Sequence, residues 1–123
     1  MANILIVDDD PQIRELLSIM LGHDKHTVSV AEDGEAAIKS YKSHKPDLVI
    51  TDILMPKKDG IDMICELVGL DPNIPVIAMS GGRGAMLTSE FNLDSAKLIG
   101  AKVILKKPFT LIQLQEAIKE VMN

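Results

Sequence analysis

With 123 residues, 46% of them apolar, the chain has material for one hydrophobic core and a single domain, 1–123, with no length left for a second. A net charge of -5 and a pI near 5.1 argue against direct nucleic-acid or anionic-membrane partners, which need a basic face to release counterions, and favour a cationic metal or a protein. Cys65 has no second cysteine to pair with, no apolar run approaches the ~20 residues of a membrane span, and nothing before the first acids reads as a signal peptide, so the cytoplasm is the expected compartment.

In chain order, short β-branched apolar runs alternate with amphipathic stretches, which is a parallel α/β pattern. The first strand, Ile4 to Val7, runs into Asp8, Asp9 and Asp10. Asp10 is placed to cap the helix that follows, and Pro11 takes the first helical position, where its missing N–H is harmless. Ile13, Leu16, Leu17, Met20 and Leu21 then form one stripe toward the sheet. The second strand is Thr27 to Val30. The third, Leu48 to Thr51, ends against Asp52, and the fourth, Val76 to Met79, delivers Ser80. All five strands are apolar enough to be covered on both faces or nearly so. Cys65 falls with Ile61 and Ile64 on an apolar helical stripe and reads as an inert core residue. Residues 80–102, SGGRGAMLTSEFNLDSAKLIGAK, are too long for one helix and two tight loops; an extended loop is expected there, with Gly100 ending the fourth helix as a left-handed residue. The fifth strand, Val103 to Leu105, delivers Lys106 and Lys107, and the last helix opens with a Thr110–Gln113 capping box ahead of a stripe of Leu111, Leu114, Ile118 and Val121.

Right-handed crossovers point every strand the same way, so the residues after each strand collect at one edge, where open α/β sheets bind ligands. Asp8, Asp9, Asp52, Ser80 and Lys107 would converge there. Each has a simpler reading alone: a turn residue before Met55-Pro56 for Asp52, a cap hydroxyl for Ser80, a solvated charge for Lys107. Their joint placement favours a site. Oxygen ligands without His or Cys suit Mg²⁺ or a similar hard ion such as Mn²⁺, and His23, His26 and His44 lie elsewhere in the chain. A carboxylate beside such an ion can take a phosphoryl group, with a lysine neutralising the transferring oxygens and a hydroxyl bonding one of them.

The acidic pair in VDDD, the segment TDILMPKKDG, the MSG after the fourth strand and LKKPFT after the fifth together resemble the receiver domain of two-component response regulators over the whole chain. The resemblance implies a flavodoxin-like (βα)5 doubly wound parallel sheet in the order 2-1-3-4-5, an arrangement well known for this family. It implies that Asp52 accepts a phosphoryl group from a phosphohistidine on a histidine kinase or a histidine phosphotransfer protein. Asp8, Asp9, Asp52 and the backbone carbonyl of Leu54 would hold the metal, Ser80 and Lys107 would contact the phosphoryl group, and Lys107–Pro108 would be cis. The module would signal rather than act as an enzyme, beyond catalysing its own phosphorylation and dephosphorylation. With no output domain in 1–123, a downstream protein would read the surface of the fourth helix, fifth strand and fifth helix, or the chain would serve within a phosphorelay. A fragment of a longer protein is the other possibility, and the oligomeric state stays open.

Three features depart from the family pattern. Ile104 stands where an aromatic residue often changes rotamer, the 80–107 stretch is longer than usual, and Leu54 and Gly82 cannot orient water through their side chains, which predicts slow self-hydrolysis. Other readings fit less well. An Asp-based phosphatase would carry a second Asp at Leu54, and a flavodoxin-like nucleotide binder would not place three acids after its first strand. A degenerate receiver would be expected to have lost Asp9, Asp52 or Lys107; all are present.

Overall fold

Successive side chains of a strand point to opposite faces, so strands apolar at every position need cover on both sides. In the computed structural model, which describes residues 2–53, 60–80 and 97–122, the sequence divides its apolar residues in this way. Five strands, β1 (Asn3–Val7), β2 (Thr27–Ala31), β3 (Leu48–Asp52), β4 (Val76–Ser80) and β5 (Val103–Lys106), pair in parallel in the order β2-β1-β3-β4-β5. Leu5, Val7, Val49, Val76 and Ala78 face α2 (Gly34–Ser43) and α3 (Gly60–Leu70), where Ala37, Ile38, Met63, Ile64 and Leu67 complete one core layer. Ile4, Ile6, Leu48, Ile50, Ile77 and Met79 face the other way, onto Leu17 and Leu21 of α1 (Pro11–His23) and onto the last helix, Leu111–Met122. Residues 97–99 are helical and are labelled α4, which makes the last helix α5.

The helix ends follow the sequence. Asp10 accepts from the Gln12 amide at 2.9 Å with Pro11 next to it. Thr110 and Gln113 exchange bonds, Thr110 N–H to Gln113 Oε1 at 2.8 Å and Gln113 N–H to Thr110 Oγ1 at 3.1 Å. Gly100 has φ +112, and a Cβ there would lie 2.5 Å from Val68 Cγ2. The Lys107–Pro108 bond is cis.

Three expectations are corrected. β2 is an edge strand covered only in part: Val28 and Ala31 pack into the two core layers, but Val30 is 51% exposed. Leu16 is exposed, since the α1 stripe is wider than the surface available to it and Leu17 and Leu21 take the buried places. Cys65 is exposed rather than in the core. The helix phase explains this: Gly60 N–H donates to the Ile53 carbonyl at 2.8 Å, and a Cβ on Gly60 would run into the Asp52 carbonyl. That contact buries the start of α3, so the positions three, four and seven residues on, Met63, Ile64 and Leu67, turn inward. Residues 81–96, where the long loop was expected, lie outside the described residues.

Candidate functional site

Strand register assembles the site. Val7 pairs with Thr51, so the residues that follow, Asp8 and Asp52, lie side by side at the carboxyl ends of β1 and β3. Asp52 in turn pairs with Met79, placing Ser80 next to it on β4. Ser80 pairs with Lys106, and the Lys107 amide donates to the Ser80 carbonyl at 2.7 Å, carrying Lys107 over the same edge.

Asp8, Asp52 and Ser80 are buried, and Asp9 is half-buried. Lys107 Nζ lies 2.8 Å from Asp8 Oδ2 and 3.2 Å from Asp52 Oδ2. The second oxygens are also used: Asp10 N–H donates to Asp8 Oδ1 at 2.9 Å, and Ile53 N–H donates to Asp52 Oδ1 at 2.8 Å. Asp8, Asp9 and Asp52 each bring a ligand atom within 4.8 Å of the others, the one such group found among the described residues. One ammonium thus serves two buried carboxylates, with Asp9 close beside them, and the surrounding charge shows in both Asp52 and Lys107. Burial and then the Asp8 charge raise the Asp52 carboxyl above its ordinary value, against the pull of Lys107. Burial lowers the Lys107 ammonium, but its bond to Asp8 and the charges of both acids outweigh this and hold it above its ordinary value.

A set of oxygen donors with no imidazole or thiolate among them fits a hard divalent ion of the Mg²⁺ or Mn²⁺ type, which would relieve the like-charge crowding that one lysine cannot. Of the residues expected at the site, the fold brings Asp8, Asp9, Asp52, Ser80 and Lys107 to one edge. Leu54, expected to offer its backbone carbonyl, lies outside the described residues, as does Gly82.

Two residues beside the site carried no assigned role in the sequence. Gly60 lies against the Asp52 carbonyl, and its signal is its place at the end of TDILMPKKDG. Arg14, in the first turns of α1, donates from Nη1 to the Asp8 carbonyl at 2.8 Å. Nothing in the local sequence announces that contact, because it depends on how a helix folds back over the strand that precedes it.

Known proteins resemble this chain in sequence and fold. The response regulator receiver domain family matches residues 4–119. The chemotaxis protein CheY of Bacillus subtilis (strain 168) is 36% identical over 121 residues, covering 98% of this chain and 97% of that protein. The response regulator MprA of Mycobacterium tuberculosis is 33% identical over 111 residues; the match covers 90% of this chain but only 46% of that protein. Among solved structures, a response regulator receiver domain protein from Clostridium thermocellum superposes with a TM-score of 0.87 at 30% identity, covering 100% of this chain and 95% of that one. Agreement in sequence and in fold across nearly the whole chain makes this protein a member of the response regulator receiver domain family, a signalling module of two-component systems.

Proposed function

We propose that Asp52 is the phosphoacceptor of this receiver, taking a phosphoryl group from a phosphohistidine on a histidine kinase or histidine phosphotransfer protein. The observation that carries the reading is one ammonium, Lys107 Nζ, bridging the buried carboxylates of Asp8 and Asp52 at 2.8 and 3.2 Å. An Asp52 oxygen attacks phosphorus, the O–P bond of an acyl phosphate forms, and the P–N bond breaks with its electron pair leaving on the imidazole, which takes a proton from water. Lys107 then faces a phosphoryl oxygen instead of the free carboxylate, and the Ser80 hydroxyl bonds another. The carboxylates of Asp8, Asp9 and Asp52, with the Leu54 backbone carbonyl, would hold Mg²⁺ or Mn²⁺, which when bound neutralises charge on the phosphoryl oxygens.

Drawing Ser80 and Lys107 toward the new group pulls on β4 and on the turn after β5, biasing the surface of α4, β5 and α5 toward a second arrangement that a downstream protein reads. Ile104, half-buried in the α3-side core layer, replaces an aromatic switch with a branched aliphatic side chain, so some other element must report the state. The proposed setting is the cytoplasm, which a chain with a single cysteine tolerates.

Borohydride reduction tests the assignment, because it converts an acyl phosphate of aspartate to homoserine. After incubation with a small-molecule phosphodonor, peptide sequencing should find homoserine at position 52. Homoserine at position 8 or 9 instead would rule out Asp52 as the acceptor.

A further inference from the structure

Every polar group of Asp8 has a partner, and three of them come from the residues that must stay fixed for the acids to converge. Its amide donates to the Ala31 carbonyl at 3.1 Å, and its carboxylate accepts from the Asp10 amide at 2.9 Å and from Lys107 at 2.8 Å. Its carbonyl accepts from Arg14 Nη1 at 2.8 Å. Asp8 is fully buried, so a carbonyl deprived of that donor has no water at hand and must turn to find a partner. The peptide unit that would turn joins Asp8 to Asp9, two of the three acids of the site.

We propose that Arg14 is a positioning residue: by holding the Asp8 carbonyl it fixes the peptide unit between Asp8 and Asp9 and so aims both carboxylates at a shared cation. The helix makes the arrangement rigid, because the Arg14 amide is itself bonded to the Asp10 carbonyl at 3.1 Å, closing a loop from the helix back to the strand end. The metal-affinity part of this inference rests on the phosphoacceptor reading above; the conformational part does not.

Sign separates positioning from plain electrostatics. Arg14 is a cation beside an acidic loop, and removing its charge alone would make the acids hold Mg²⁺ more tightly. Positioning demands the opposite. Mg²⁺ titration by calorimetry at fixed ionic strength, on the wild type, Arg14→Met and Arg14→Lys, should show Arg14→Met weakened about tenfold, the usual scale for loss of a residue that orients a metal ligand. Arg14→Lys, which keeps a cationic donor, should fall between the two. In metal-free protein, exchange of the Asp10 amide should accelerate in Arg14→Met by more than that of Leu17 and Leu21 in the same helix. Mg²⁺ binding as tight as wild type or tighter, with Asp10 exchange changing only in step with Leu17 and Leu21, would overturn the proposal. A wild type that does not bind Mg²⁺ would defeat the phosphoacceptor reading instead, leaving the exchange comparison to decide the role of Arg14.

Discussion

Asp52 is held in a state its charge resists: burial and the adjacent Asp8 both favour the neutral acid, and a single lysine serves two carboxylates. The folded protein therefore binds the Asp52 proton more tightly than the unfolded chain does. Stability from this group is greatest below the ordinary carboxylate value of 3.8 and falls as pH rises through the raised folded value. Lys107, raised from 10.5, loses its contribution only at alkaline pH and does not enter that window. Asp52→Asn should accordingly be more stable than the wild type at neutral pH without metal, by on the order of 1 kcal/mol, with the advantage vanishing near pH 3.5. Urea unfolding across pH 3.5 to 7 measures this, and a variant less stable than wild type at pH 7 would contradict it. At this scale the acids and Lys107 were legible because each follows an apolar run, and a polar residue there reaches the sheet edge whatever the details. Arg14 was not legible, since a helical arginine reads as solvated until its reach back to Asp8 is seen.

Elements add what single residues cannot, namely phase and coverage. The stretch GIDMICELVGL carries apolar residues on overlapping helical stripes, and sequence alone cannot choose between one with Cys65 inside and one with Met63 and Leu67 inside. The contact of Gly60 with the Asp52 carbonyl chooses, so β3 sets the rotation of the helix after it. Coverage explains β2 similarly: its valines read as buried positions, but its place at the edge of the sheet, decided by chain topology, leaves Val30 exposed. Caps were legible because their bonds are local, as at Asp10 and Thr110. Gly100 combines both kinds of information, a local left-handed turn and a tertiary approach to Val68. Gly100→Ala should cost about 2 kcal/mol through backbone strain and the clash. Thermal melts of Gly100→Ala alone and with Val68→Ala would show the double variant recovering only part of the loss; full recovery would mean the backbone is not strained there.

For the whole molecule, a cation at the site would couple to folding. A cation bound to the acidic group only when the chain is folded stabilises it, by about 1.4 kcal/mol at ten times the dissociation constant. MgCl₂ should thus raise the melting temperature beyond NaCl of equal ionic strength, and Asp9→Asn should weaken the effect; equal shifts from both salts would contradict it. With Leu54 and Gly82 unable to orient water through their side chains, the phosphorylated form should persist well beyond seconds after the donor is removed, and decay within seconds would refute that. The parallel sheet order and the edge where ligands gather were the most legible features, because alternation of strand and helix admits few topologies. The most direct measurement of the central claim is intact mass after incubation with acetyl phosphate, with and without Mg²⁺, on the wild type and Asp52→Asn. One added phosphate on the wild type, dependent on Mg²⁺ and absent from Asp52→Asn, is the predicted result; an adduct that survives in Asp52→Asn would contradict the account.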